Sequence, residues 1–318
     1  MKRLVAVLTA LVLLAFCGCS SQTDNGSSAE DSGVVTFTDA LDREVTVSKN
    51  PERVAALIGS FADVWLLSGG EVCAAAEDAW DDFGLELGDA VNIGGAHSPS
   101  LEALLSANPD FVIASASTSA DVELKESLEN AGVTTAYFDV DCFEDYLSML
   151  DICTDITGRK DLFEKNGKSI ELQIKAIKDE CLNSDLTEEE RTVLLLRASA
   201  SSVKAKGSEG TILGEMLSDL GCINIADSDK SLLENLSVES VVRREPYRIF
   251  VVTMGDDTEK ALDNLTRMMK EDPAWGSLEA VKENRMHIMD RRLFNIKPNE
   301  KWAESYEKLG EILLEKTK

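Results

Sequence analysis

The chain has 318 residues, 44% of them hydrophobic and 28% charged, a globular composition with room for two cores. Lys and Arg number 32 against 58 Asp and Glu, so the formal net charge is −26. That sign excludes nucleic-acid binding through phosphate contacts and reads as a solvated, solubilising surface.

The first residues set the location. Met1-Lys2-Arg3 is a basic start, and the apolar run LVAVLTALVLLAF is too short for a comfortable membrane span, so residues 1–18 read as a signal peptide. FCGCSS follows. Gly18 is a small residue of the kind signal peptidases accept, and Cys19 after it resembles the lipid-modified cysteine of bacterial lipoproteins. Cys17 is the second candidate, but Phe16 fits badly before it. Residues 19–33 are polar and read as a disordered tether. A second apolar stretch of spanning length is absent. The expected location is therefore the outer face of the cytoplasmic membrane, held by a lipid anchor. Five further cysteines, Cys73, Cys142, Cys153, Cys181 and Cys222, form no C-x-x-C pair and read as small core residues.

From Val34, VVTFTDALDREVTV alternates as a β-hairpin. PERVAALIG reads as a strand, SFADVWLLSGG as a helix closed by glycines, and EVCAAAE as a strand. SLEALLSAN (helix), PDFVIAS (strand), ADVELKESLENAG (helix) and VTTAYFD (strand) continue the alternation, which predicts a mostly parallel sheet with helices on both faces. FEDYLSMLDICTDITG is helical and stops at Gly158. Leu162, Phe163, Ile170, Ile174, Ile177 and Cys181 then recur at helical spacing, with Gly167 the weak point of one long helix. Alternation restarts with RTVLLLRAS, GTILGEMLSDLG, CINIAD, SVESVVRRE, PYRIFVVTM, TEKALDNLTRMMK and RMHIMD, and NEKWAESYEKLGEILLEK is an amphipathic last helix. The expected divisions are a lobe at 34–157, an inter-lobe helix at 158–184 and a second lobe at 185–318.

One phrase occurs twice. SLEALLSANPDFVIA and SVESVVRREPYRIFV both open with Ser, an apolar residue and Glu, and in both Pro stands seven positions after that Glu, at Pro109 and Pro246. ADVWLLSGG and LGEMLSDLG, and VNIGG and CINIAD, pair in the same way, so the lobes read as a pseudo-duplication.

Several ordered segments together resemble the solute-binding proteins of ABC importers for iron-siderophore, haem and cobalamin. They are FTDALDREVTVSKNPERVAAL, PSLEALLSANPDFVI, the long central helix, DPAWGSLEAVKENRMHIMD and LFNIKPNEKWAESYEKLGEIL, which span nearly residues 34–315. The resemblance implies two Rossmann-like α/β lobes joined by a single long backbone helix, the helical-backbone or class III arrangement. It also implies that Glu102 and Glu239, one per lobe, dock a dimeric importer permease. The bland alternative is that each Glu sits in a first helical turn behind a serine cap, Ser100 or Ser237, and both readings can hold.

Ligands of open α/β sheets bind beyond the C-terminal strand ends. The candidates there are Ser60 and Phe61, Trp80, Gly95 to His97 and Ser115 to Ser119, including Ser117, in the first lobe. The second lobe offers Arg197, Ser199, Met254, Arg291, Arg292 and Phe294. Trp80 suits a flat wall and Arg197 an anionic group. Only two histidines exist, too few for a His-rich zinc site. His287 lies inside a strand, whereas His97 or Met254 could ligate a haem iron. No protein-held metal and no cofactor is expected. The expected cargo is a metal chelate, ferric siderophore or haem, with a corrinoid as the alternative, in a cleft rich in aromatic and basic groups. G-x-S-x-G, H-E-x-x-H, P-loop and G-x-G-x-x-G motifs are all absent, so an enzyme is not expected. A monomer is expected, and a surface adhesin or scaffold is the remaining rival.

Overall fold

The computed structural model describes residues 33–255 and 257–315. The expected signal peptide, the tether through residue 32 and the candidate anchor Cys19 lie outside the described residues.

The alternating start forms the expected hairpin. β1 (Val34–Thr38) and β2 (Glu44–Ser48) pair antiparallel and bury Val45 and Val47. Asp39 organises the turn: its carboxylate accepts from the Leu41 and Arg43 amides, from the Arg43 guanidinium and from the Tyr137 amide at 3.2 Å. Ala40 N–H in turn donates to the Tyr137 carbonyl. The hairpin thus covers an edge strand whose backbone groups would otherwise be unpaired.

The first sheet holds β3 (Val54–Ala56), β4 (Val72–Ala75), β5 (Val91–Asn92), β6 (Phe111–Ser115) and β7 (Thr134–Phe138). All are parallel, in the order β5-β4-β3-β6-β7. The second sheet holds β8 (Thr192–Ala198), β9 (Val203–Lys206), β10 (Ile223–Asn224), β11 (Arg248–Thr253) and β12 (Met286–Ile288). Its parallel order is β10-β8-β11-β12, and β9 returns antiparallel on β8. Continuous burial of β6 and β11 fits sheets covered on both faces.

The repeated phrase occupies one topological place in each sheet. Helix Leu101–Ser106 leads into β6, which lies beside β3; helix Val238–Arg244 leads into β11, which lies beside β8. Two departures from expectation have local causes. The helix expected over 120–132 breaks at Leu124 into Ser119–Glu123 and Lys125–Asn130. A continuous helix would separate Val122 from Leu124, whereas the break lets both join Leu128 against one apolar cluster. β9 is an addition to the expected strands, because VKAK is only four residues long and half of it is lysine, too weak an alternation to mark a strand.

The long helix is continuous from Lys160 to Leu182, about 35 Å at 1.5 Å per residue. Glu164–Lys168 forms one wide π-turn at the weak point, Gly167. A Cβ on Gly167 would meet Leu147 Cδ1 at 2.7 Å, so glycine lets helix Phe143–Thr157 lie close. Tyr146 donates to the Asn166 carbonyl at 2.8 Å, and Asn166 donates to the Leu67 carbonyl at 2.8 Å. The largest apolar cluster runs from β3 and β6 through these helices to β8, β11 and the last helix, Trp302–Leu314. The lobes therefore share a core.

Candidate functional site: a cleft at the strand ends

Both sheets end their parallel strands at one cleft of ≈ 680 Å³. Its first wall is Ile58 and Ser60 after β3, Glu77, Asp78, Asp81 and Asp82 after β4, Gly95 to Ser98 after β5, and Thr118 after β6. The opposite wall is Gly255 and Thr258 after β11, with Arg291 and Asn295 to Lys297 after β12. Chain geometry thus puts a concavity where open parallel sheets bind ligands. Two further depressions, ≈ 690 and ≈ 730 Å³, flank the long and last helices away from those strand ends.

The cleft base is a polar clasp between lobes. Asn299 donates to the Ser60 carbonyl and to Asp63 Oδ2, both at 2.8 Å. Arg292 reaches Asp63 at 3.4 Å and Glu300 at 3.9 Å, donates to the Lys297 and Pro298 carbonyls, and lies 4.3 Å over the Phe83 ring. Arg291 pairs with Asp82 across the gap. Burial pushes the Asp63 carboxyl up to about 7; Glu300 adds to this, while Asn299 and Arg292 oppose it.

Several expected ligand residues are placed differently. Phe61 is 0% exposed, packed edge-on to Phe138 at 6.2 Å, and cannot present its ring to a cargo. Trp80 packs on the small apolar cluster of Ala56, Ala62, Ala75, Ala79 and Leu87 and is not on the cleft lining. Arg292 is occupied by the clasp, and Phe294 is buried. In each case apolar area or a buried countercharge claimed the side chain. The expected aromatic and basic lining is corrected accordingly, since the first wall is acidic.

His97, Ser60, Gly95, Ala96 and Arg291 do line the cleft. Ser117 is exposed beside the lining residue Thr118, and its hydroxyl lies 3.2 Å from that of Ser115. Met254 is 46% exposed, and its amide donates to Ala198, which holds the end of β8 beside Gly255. Arg197, next to Ala198, is half-buried, and its Nε has no hydrogen-bond partner among the described residues. Burial alone lowers its pKa. Lys204 stands opposite Arg197 across β8 and β9, and Lys206 opposite Leu195, so all three cations share one sheet face.

Glu102 and Glu239 are exposed in first helical turns. Ser100 caps the first helix by accepting from Ala103 at 3.2 Å, and Ser237 the second by accepting from Ser240 at 3.3 Å.

The residues that the sequence reading missed are Glu77, Asp78, Asp81 and Lys297. In EDAWDD the tryptophan is the expected ligand group, whereas the carboxylates, equally visible in the sequence, are what line the cleft. Lys297 gave none, because only the fold brings the NIKP loop to the cleft. Its amine lies 5.9 Å from the Phe61 ring centroid, with no hydrogen bond or ion pair among the described residues. Burial lowers its pKa against the opposing pull of Asp141, Asp139 and Asp145. No group of three or more His, Cys, Asp or Glu among the described residues is arranged to hold a metal ion.

A family model described as periplasmic binding protein matches residues 54–293. An uncharacterized ABC transporter substrate-binding lipoprotein, YvrC of Bacillus subtilis, is 24% identical over 312 residues, covering 97% of this chain and 95% of its own. The Fe(3+)-citrate-binding protein YfmC of the same organism is 27% identical, covering 91% and 90%. Among solved structures, Staphylococcus aureus SirA complexed with staphyloferrin B superposes with a TM-score of 0.66 at 19% identity, covering 88% of this chain and 97% of SirA. At that identity the likeness concerns the fold.

Proposed function

The chain belongs to the periplasmic binding protein family, and from that premise we propose that it captures a ferric chelate outside the cytoplasmic membrane and delivers it to an ABC importer. The observation that carries the reading is the cleft of ≈ 680 Å³ at the converging strand ends. That volume suits a compact chelate, and two lobes on a shared core suit a receptor that binds and releases without chemistry. Relatives named for ABC import and for ferric citrate support the class of cargo.

In this reading the chelator supplies the iron coordination. Arg197 with Lys204 and Lys206 offers positive charge to an anionic ligand face, because a half-buried guanidinium whose Nε lacks a partner among the described residues gains from an anion. Glu102 and Glu239 serve the permease, one anionic anchor per lobe, where charge gives orientation and encounter rate. Cys19 carries the lipid. His97 and Met254 are the available iron ligands if the cargo is haem.

Tryptophan quenching against ferric citrate, a ferric hydroxamate, a ferric catecholate, haemin and cobalamin tests the cargo. We expect at least one iron chelate to bind with a sub-micromolar Kd. Haemin binding that weakens with His97→Ala would select haem, and cobalamin binding alone would select the corrinoid. Silence toward all five, with tight binding of a sugar or amino acid, would overturn the reading. In cells, Glu102→Ala and Glu239→Ala should each impair uptake while leaving chelate affinity in place.

A further inference from the structure

Two cysteines that the import reading leaves unused meet where the long helix reaches the second sheet. Cys181 lies in the last turn of Ser169–Leu182 and is 0% exposed. Cys222 is half-buried between helix Ile212–Asp219 and β10. Both pack on the largest apolar cluster. Arg191 ties their backbones together: its Nη2 donates to the Cys181 carbonyl at 3.0 Å and its Nη1 to the Leu220 carbonyl at 3.3 Å. The Gly221 backbone sits directly on Leu182, since a Cβ there would stand 2.9 Å from Leu182 Cδ2 and 2.8 Å from Arg191 Nη1. The two thiols look toward one stretch of the last helix. Cys181 Sγ is 3.6 Å from where a Cβ on Gly310 would lie, and Arg248, whose charge acts on the Cys222 thiol, donates to the Leu313 carbonyl at 3.0 Å.

The other thiols are placed differently. Cys142 donates to Asp145 at 3.1 Å, Cys73 reaches the Ala107 carbonyl at 3.9 Å, and Cys153 is enclosed on helix Phe143–Thr157 with burial alone acting on it. At Cys222, by contrast, the Cys181 thiol adds to the rise that burial causes, and Arg191 opposes that rise at both sulfurs. A disulfide requires two backbones in close approach, and the seat of Gly221 on Leu182 provides it.

We infer that Cys181 and Cys222 form a disulfide, which fastens the end of the inter-lobe helix to the edge of the second sheet. All five cysteines among the described residues are thiols in this structure, so the bond requires an oxidant. A protein outside the cytoplasmic membrane meets disulfide donors there, and this part rests on the location proposed above. The Cys222 thiolate attacks a donor disulfide, that of a cell-envelope thiol oxidase or of oxidised glutathione, and releases one donor thiol. The Cys181 thiolate then displaces the other and closes the S–S bond. The protein gives up two electrons and its two thiol protons, and the donor disulfide becomes two thiols. Burial holds both thiols protonated in the folded protein, so the exchange belongs to folding, before the last helix covers them. The bond spans positions 181 to 222, so it restricts the unfolded chain more than a local bridge would.

The test reads the pairing directly. Full-length protein is expressed in cells, the cells are lysed in guanidinium with N-ethylmaleimide, and tryptic fragments are weighed without reduction. Trypsin releases Cys181 in fragment 179–191 and Cys222 in fragment 207–230, each with one cysteine. We expect the two fragments joined, about 2 Da lighter than their thiol forms together, and separated by dithiothreitol. The same protein, reduced, unfolded and refolded in a glutathione redox buffer, should regain that pair and no other. In Cys222→Ala protein, fragment 179–191 should carry N-ethylmaleimide instead. N-ethylmaleimide on both native fragments after both treatments, or either cysteine joined to a different one, overturns the inference. Joining on refolding but not in cells upholds the pair and overturns the extracytoplasmic location instead, so the two failures are distinguishable.

Discussion

At the scale of single residues, the buried charges set the pH response. Asp63 is 7% exposed and Asp121 0%, and burial pushes both carboxyls up to about 7. Asp121 keeps the Ser115 amide on one oxygen, which opposes that rise, while Asp78 adds to it. Unfolded, both would titrate near 3.8. The folded protein therefore holds protons that the unfolded chain has lost, and the stability they contribute is lost as pH rises through about 7. Thermal melting should show a lower Tm at pH 8 than at pH 5.5, with these two groups accounting for roughly a few kcal/mol. Asp63→Asn should flatten that slope, which separates its effect from general repulsion in an acidic chain; an unchanged slope would refute the assignment. Arg197 is the converse case. Replacing it with Met removes a half-buried cation whose Nε finds no partner among the described residues, so stability should rise by about 1 kcal/mol, read as a higher Tm, while chelate affinity falls. A lower Tm with unchanged affinity would make Arg197 a structural residue.

At the scale of elements, the first helix of each lobe depends on a close backbone approach. A Cβ on Gly59 would stand 2.5 Å from the Ala79 nitrogen, and one on Gly214 would stand 2.4 Å from the Ser208 carbonyl oxygen. These are backbone atoms, so relief requires moving a segment. Gly59 opens helix Gly59–Leu67 at the cleft floor, and its amide holds Asp78. Gly59→Ala should therefore cost about 2–4 kcal/mol in denaturant unfolding and weaken cargo binding, outweighing the gain in helix propensity of about 1 kcal/mol. Retention of both stability and affinity would show that the Ala79 segment yields freely. Much at this scale was legible beforehand. The helix-Pro-strand phrase fell where its periodicity indicated, because Ser caps and prolines act locally. The break at Leu124 and strand β9 were not legible, because each is decided by what packs on it and not by its own period.

At the scale of the whole molecule, the continuous 160–182 helix and the shared core oppose large domain closure. The clasp of Asn299, Asp63 and Arg292 ties the cleft floor to the second lobe as well. Small-angle scattering with and without a bound chelate should give nearly equal radii of gyration. A contraction equivalent to tens of degrees of closure would require the helix to bend at Glu164–Lys168, the wide turn.

By itself the sequence determined the α/β class, the two-fold repetition, the long helix between lobes and the exposed glutamates behind their serine caps. These follow from periodicity, capping and spacing, which act within a dozen residues. Tertiary structure alone decided which side chains face the cleft. Phe61 and Arg292 have the chemistry of ligand residues, but one was taken by core packing and the other by a carboxylate some 230 positions away in the chain, Asp63. Lys297 and the Glu77–Asp81 wall came to the cleft because parallel strands must all end on one side, a consequence of sheet topology that residue type does not announce.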